Sequence, residues 1–209
     1  MEFIVITGPS YKIALKKIQK ALKIRDGIEL RLDLFHEIKK EEVGEIVDLC
    51  KSFGKKIILT LRSLEGGGNY KRSIASLEEE IFSLSATLPH YMDVEYTLSD
   101  DLFSSLQNTH IISSFHDFER TPNLDLVLKK MQRKKAYAYK VCTTPLLISD
   151  SYRMLNFIHK QKKLGLNFIG ICMGEKGKIT REEGLKVGNY LNYRIIHLRD
   201  KVAEGLDFA

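Results

Sequence analysis

Ile28-Glu29-Leu30-Arg31-Leu32-Asp33-Leu34 is an extended-looking run with a charge at every second position. In a strand, residues two apart share a face, so Glu29, Arg31 and Asp33 lie on one side and the isoleucine and leucines on the other. Two structures accommodate that pattern. One is an edge strand with a solvated face. The other is a strand of a closed barrel whose apolar face packs against helices and whose charged face points inward. Buried charges survive there only when paired and hydrogen-bonded.

The chain on either side decides between them. Seven further short runs are rich in β-branched and apolar residues: Phe3–Thr7, Lys56–Leu61, Tyr91–Tyr96, His110–Phe115, Ala136–Val141, Phe168–Met173 and Arg194–Leu198. Between them lie longer segments with apolar residues three and four apart. One is Ile13-x3-Lys17-Ile18-x2-Ala21-Leu22; another is Leu124-x2-Val127-Leu128-x2-Met131, opened by Thr121-Pro122. Strands alternating with helices make a parallel sheet, and eight strands is the number that closes a (β/α)8 TIM barrel. An open doubly wound sheet is the alternative. Its usual Gly-rich first turn is absent, because the turn here is Thr7-Gly8-Pro9-Ser10. No linker, repeat or low-complexity tract interrupts the chain, so residues 1–209 read as a single domain.

Composition narrows the function. Hydrophobic residues are 44% and charged residues 29% of the chain, as in ordinary globular proteins. No apolar run approaches the roughly 20 residues of a membrane helix, and no signal-peptide pattern opens the chain. Cys50, Cys142 and Cys172 are an odd number without metal-ligand spacing. Reduced thiols, a cytoplasmic location and no metal follow. The net charge of +6 raises the question of nucleic acid. The lysines, however, fall at helical spacing (Lys12, Lys16, Lys17, Lys20, Lys23) without interleaved aromatics, which suits solvated helix faces that favour a small anion.

Chemistry-bearing residues gather at the strand ends. After Glu29 and Arg31 come Thr60-Leu61-Arg62, Asp93-Val94-Glu95, Ser113-Ser114-Phe115-His116-Asp117, Tyr139-Lys140, and Met173-Gly174 with Arg181 beyond. A lone histidine or lysine there would be weak evidence, but in this barrel the carboxyl ends of the strands carry function. Gly66-Gly67-Gly68 lacks the Gly-Lys-Ser/Thr ending of a phosphate loop and reads as a mobile loop at the barrel mouth. Cys142, two residues past Lys140, reads as packing.

Taken in order, these stretches resemble the type I 3-dehydroquinate dehydratases. The resemblance rests on Glu29-Leu-Arg31-Leu-Asp33, Thr60-Leu-Arg62-Ser63 with Glu65-Gly-Gly, Asp93-Val-Glu95, Ser114-Phe-His116-Asp117-Phe118 with Thr121-Pro122, Lys140-Val-Cys-Thr-Thr-Pro145, and Met173-Gly174-Glu175-x-Gly177-x-x-Thr180-Arg181. It implies a hydro-lyase of the shikimate pathway to chorismate and aromatic amino acids. Such an enzyme converts 3-dehydroquinate to 3-dehydroshikimate through a lysine Schiff base, without a cofactor. Lys140 would be the nucleophile, its pKa lowered by burial and by nearby arginines. His116 would be the general base and then acid, and Glu95 the carboxylate that orients its imidazole. Arg181 would clamp the substrate carboxylate; Glu29, Arg31 and Arg62 would bind ring hydroxyls.

Past Arg181 the chain departs from that family. A Ser-Ala-Pro-Gly-Gln lid is replaced by Val202-Ala203-Glu204-Gly205-Leu206, and Arg199–Ala209 is short for both a lid and a covering helix. The expectation is a final helix short or missing, with an apolar groove beside the first helical segment near Ile13 or Leu15. A shikimate dehydrogenase domain fused to the chain, or a homodimer partner, would cover it. Two rivals use the same residues: another lysine-dependent barrel lyase such as an aldolase, which leaves Glu29, Arg31 and the His116 motif unexplained, and a non-catalytic binding barrel.

Overall fold

Alternating inward and outward side chains organise the computed structural model, which describes residues 1–196. Eight strands run parallel: β1 (Glu2–Ile6), β2 (Gly27–Arg31), β3 (Lys56–Thr60), β4 (Tyr91–Glu95), β5 (His110–Asp117), β6 (Ala138–Thr143), β7 (Phe168–Cys172) and β8 (Asn192–Arg194). The helices between them are α1 (Tyr11–Ala21), α2 (Lys40–Ser52), α3 (Ile74–Ser85), α4 (Asp100–Ser105), α5 (Leu124–Met131), α6 (Ile148–Lys163) and α7 (Gly174–Val187). The sheet order is β7-β6-β5-β4-β3-β2-β1-β8, so only the β7–β8 seam lacks a ladder among the described residues. Asn189 bridges that seam like a strand residue. Its Oδ1 accepts from Gly170 N at 2.8 Å, its Nδ2 donates to Gly170 O at 3.3 Å, and Tyr190 N donates to Phe168 O at 2.8 Å. The result is a nearly closed (β/α)8 barrel.

Outward residues Ile4, Ile6, Ile28, Leu30, Ile57, Leu59, Met92 and Val94 meet the buried helix stripes, including Ala14 and Ile18 of α1, Ile46 of α2 and Ile81 of α3. Inward residues Phe3, Val5, Ile58, Tyr91, Ile112, Ala138 and Ile169 fill the barrel. Helix starts follow local chemistry. The side chains of Ser73, Ser99 and Asn123 each accept from a backbone N–H of the first turn. The Asn123 cap starts α5 at Leu124, two residues past Pro122.

Every strand shifts by a residue or more from the sequence reading, and β5 runs on to Asp117; three of the shifts are instructive. β2 ends at Arg31, and Leu32–Leu34 turn into a 3-10 helix, because Asp33 folds back onto Arg31: Nε–Oδ1 is 2.9 Å and Nη2–Oδ2 is 2.8 Å. β6 begins at Ala138, with Tyr137 40% exposed outside it. β8 is Asn192–Arg194 instead of Arg194–Leu198, because Asn192, Tyr193 and Arg194 pair with Glu2, Phe3 and Ile4 of β1. The more apolar run that follows was the more obvious strand, but its last residues lie outside the described part of the chain.

On α1 the buried stripe is Ala14, Ile18 and Ala21, while Ile13 is 45% exposed. Ile13 borders a depression shared with Thr7, Gly8, Lys17, Arg31 and His36, so the lining is mixed instead of the apolar groove expected there. The expectation about Lys201–Ala209 and a final helix falls outside the described residues. No described helix is long and apolar enough to cross a membrane.

Candidate active site

The charged face of β2 looks into the barrel, and so do the matching positions of its neighbours. Register puts Arg31 beside Thr60, Thr60 beside Asp93, and Ser114 beside Lys140. Glu29, Thr60, Asp93, Ser114 and Lys140 bond into one connected polar layer at the carboxyl end, with Arg31 beside it on Asp33, all of them buried.

Asp93 is its hub. One oxygen accepts from Arg62 Nη2 and from Ser114 Oγ, each at 2.6 Å; the other accepts from Lys140 Nζ at 2.9 Å. Burial would raise its pKa, but Arg62, Lys140 and His116 overcome that and hold the carboxyl well below its ordinary range. Glu29 is the second carboxylate on the lysine, with Oε1 at 3.5 Å from Nζ and accepting from Thr60 Oγ1 at 2.8 Å. Tyr193 lays its ring against the same ammonium, 4.3 Å from centroid to Nζ.

This corrects the expectation for Lys140. Burial does pull its pKa down, but Asp93, Tyr193 and Glu29 outweigh burial and hold it well above the ordinary lysine value. The expectation counted on nearby arginines to lower the pKa, whereas the charged groups paired with the lysine are the carboxylates of Asp93 and Glu29. The resting side chain is therefore an ammonium.

His116 stands on the other side of Arg62, with Arg62 Nη1 2.7 Å from its Nδ1. A guanidinium can only donate, so Nδ1 accepts, and the neutral ring carries its proton on Nε2. Burial first, then Arg62 and Lys140, push the imidazole well below its ordinary pKa. Phe118 stacks beside it at 6.0 Å and 17° between planes.

Glu95 does something different from what was expected. Its oxygens accept from Ser63 N and Ser63 Oγ, both at 2.8 Å, and no hydrogen bond joins it to His116. Ser63 in turn organises the glycine turn. Its Oγ accepts from Gly66 N at 2.9 Å and its carbonyl from Gly68 N at 2.7 Å, while Gly67 N bonds Leu64 O at 3.0 Å. All three glycine N–H groups are thus spent within the turn and cannot cradle a phosphate. Gly67 has a left-handed φ of +79°, and a Cβ on Gly66 would come 2.6 Å from Glu95 Oε2.

A cavity of about 630 Å³, counted to its open mouth, is lined by Glu29, Arg31, Arg62, His116, Lys140 and Arg181, with Cys142, Tyr193, Val5, Ile171 and Met173 as the less polar wall. Six of the seven sequence candidates therefore share it; Glu95 lies behind the glycine turn and borders a neighbouring depression with His116. Arg181 arrives from α7, buried, with Nη1 donating to Cys172 O at 2.7 Å. Burial pushes the Cys142 thiol up to about 11, so it stays protonated. No group of three or more His, Cys, Asp or Glu side chains among the described residues could hold a metal ion.

A model of the type I 3-dehydroquinase family matches residues 2–205. The chain belongs to this family. It is 30% identical over 188 residues to the 3-dehydroquinate dehydratase of Methanococcus maripaludis strain C7, covering 86% of this chain and 82% of that one. It is 28% identical to the shikimate biosynthesis protein AroDE of Chlamydia pneumoniae over 204 residues. That match covers 96% of this chain and only 40% of the relative. Among solved structures, the dehydroquinate dehydratase and shikimate dehydrogenase of S. pombe AroM superposes with a TM-score of 0.81 at 19% identity, covering 99% of this chain and 42% of that one, and supports the barrel fold.

Members of this family are hydro-lyases, which makes the residues overlooked in the sequence more telling. Asp93 was visible in the Asp93-Val-Glu95 motif, and alternation puts both carboxylates on the inner face. Only the stagger between strands shows that Asp93 is the one facing Lys140. Tyr193 was hidden because it precedes the run read as the last strand.

Proposed function

We propose that the chain dehydrates 3-dehydroquinate to 3-dehydroshikimate through an imine on Lys140, as a cytoplasmic enzyme of the shikimate pathway. The observation that carries this reading is the buried Lys140 ammonium held between Asp93 and Glu29 inside a cavity that also holds His116.

A charged lysine does not attack a ketone, yet imine formation counted from the ammonium is proton-neutral. Two N–H protons leave with the ketone oxygen as water, and the third stays on the iminium. One proton needs a temporary acceptor, and Asp93 Oδ2 at 2.9 Å is placed for it. The carboxylates then face a positive iminium where they faced a positive ammonium, so the charge they stabilise persists through the electron-sink stage. His116 takes the proton from the carbon beside the iminium and returns it to the leaving hydroxyl, which departs as water. Hydrolysis of the imine frees the product and restores Lys140.

His116 is not ready at rest, because Arg62 occupies the only lone pair its neutral ring offers. Proton abstraction requires that contact to open, and the substrate's oxygens give Arg62 an alternative partner. Arg181 is the guanidinium for the substrate carboxylate, while Arg31 and Glu29 serve the ring hydroxyls. Glu95 acts at one remove, by holding the Ser63–Gly66 turn over the site. Among the partners, a shikimate dehydrogenase domain on the same polypeptide, as the name of the S. pombe protein describes for itself, is the one this reading favours over a homodimer.

The test is chemical. Borohydride added with 3-dehydroquinate should fix a mass adduct on the peptide that contains Lys140, and Lys140→Ala should abolish both the adduct and the rise in enone absorbance. Full activity of the variant, or an adduct on Lys135, would sink the assignment.

A further inference from the structure

We infer that the Tyr193 hydroxyl is a substrate-contacting group that donates to the ketone oxygen as Lys140 attacks. This rests on the reading of Lys140 as the nucleophile.

β8 pairs Tyr193 with Phe3 of β1, which sets its side chain on the inner face, 3% exposed. The ring lies against Lys140 and lines the same cavity as Lys140, His116 and Arg181. Its hydroxyl is enclosed and has no hydrogen-bond partner among the described residues. Lys140 Nζ, its charged neighbour, lies over the ring 4.3 Å from the centroid and, as an ammonium, can only donate, so it offers no acceptor for the hydroxyl proton. Burying an unsatisfied hydroxyl is unfavourable. Phenylalanine would fill the same volume and offer the lysine the same ring face without that cost. Packing therefore explains the ring and leaves the oxygen unexplained.

The floor of the barrel shows the ordinary solution. Tyr91 and Tyr190 share a 2.8 Å hydrogen bond there, and Lys56 Nζ also donates to Tyr91 at 3.3 Å. At the mouth, the natural partner of an orphan donor beside a nucleophilic amine is the oxygen of the carbonyl under attack. When Nζ adds to the ketone carbon, the C–N bond forms and the C=O π pair moves to oxygen. That oxygen becomes a hydroxyl with a proton that left the nitrogen, and then departs as water. Tyr193 supplies a hydrogen bond to that oxygen and transfers no proton. Burial, more than the charges around it, raises its pKa, so the group stays a donor across the working range. Because the oxygen gains charge during attack, the bond strengthens along the reaction, and kcat should suffer more than KM.

Tyr193→Phe is the test, read in three ways. The rate at which borohydride traps the Lys140 adduct should fall about tenfold, and kcat/KM by a similar factor carried mainly by kcat. The thermal midpoint should equal or exceed that of the unsubstituted protein, because the deleted hydroxyl had no partner. Equal trapping rates and equal kcat/KM in the two proteins overturn the assignment. So does a midpoint lowered by several degrees, which would mean the hydroxyl is structural. Absence of any adduct in the unsubstituted protein overturns the Lys140 reading, and Tyr193 with it; an adduct formed equally fast in both overturns Tyr193 alone.

Discussion

The two ends of the barrel are built from the same strands by the same alternation, yet they solve burial in opposite ways. At the amino end, Phe3, Tyr91, His110, Tyr137 and Tyr190 close the floor with rings. Tyr91 meets Phe3 edge-on at 6.2 Å, and His110 stacks on Tyr137 at 3.9 Å. The hydroxyls there satisfy one another, Tyr91 with Tyr190 and Tyr190 with Tyr137, and Lys56 also donates to Tyr91. At the carboxyl end, the inner face carries Glu29, Asp93 and Lys140 within their strands and Arg62 just past β3, each dependent on another's charge. The floor is stable without needing anything from outside. The mouth is satisfied only as a network, and two of its members, the His116 lone pair and the Tyr193 hydroxyl, are engaged wrongly or not at all for a resting protein. A site that must receive a substrate leaves some of its bonds to be completed by it.

The contrast is most exposed to a change at Asp93. Asp93→Asn keeps the shape and removes the charge shared by Arg62 and Lys140. Breaking one side of a buried ion pair typically costs about 3–5 kcal/mol, so urea unfolding should show a loss of that order. The same variant loses the largest influence that raises the Lys140 pKa, so the free amine, and with it the acidic limb of adduct formation, should appear at lower pH. A loss below about 1 kcal/mol would mean that Glu29 alone can hold both cations.

A smaller effect is expected at the floor. Tyr91→Phe deletes a hydroxyl that bonds Tyr190 and Lys56, and should destabilise by about 1 kcal/mol while leaving kcat/KM unchanged. Set beside Tyr193→Phe, this pairs the same substitution at the two ends with opposite expected readouts. If both variants lose stability and neither loses rate, the distinction between floor and mouth collapses.

The smallest effect is a pH dependence. The folded-state pKa of His116 is depressed below the unfolded value of about 6.5. The unfolded chain therefore binds more protons as pH falls; the stability contribution is complete above about pH 6.5 and is lost on acidification toward the folded pKa. Asp93, also depressed, contributes stability that is complete above about pH 3.9 and is lost only below it, so it does not change between pH 7 and pH 5. His90, at the floor end, is lowered as well, chiefly by burial. Urea unfolding at pH 7 and pH 5 separates the two histidines. The unsubstituted protein should lose more stability over that interval than His116→Gln does; parallel losses would place the titration at His90.

Much of this was legible in the residues. A period of two along each strand decides which side chains share a face, since successive Cβ atoms point oppositely. That rule put Glu29 and Arg31 on one face, the position of Arg62, His116 and Lys140 at strand ends marked them as further candidates, and the alternation with helical segments pointed to the barrel. The misjudged boundaries have local causes: Asp33 turning back on Arg31 ended β2 early, and pairing with β1 drew β8 upstream to Asn192.

What the sequence determined by itself is the composition of the barrel's inner face, because that depends only on neighbours along the chain. What only the tertiary structure decided is which of those side chains meet. Asp93 rather than Glu95 reaches Lys140, Arg62 rather than a carboxylate caps His116 Nδ1, and the lysine is charged instead of neutral. Those outcomes depend on the stagger between strands distant in sequence. A shift of one residue exchanges one partner for another, and Coulombic effects at 3 Å change sign with it.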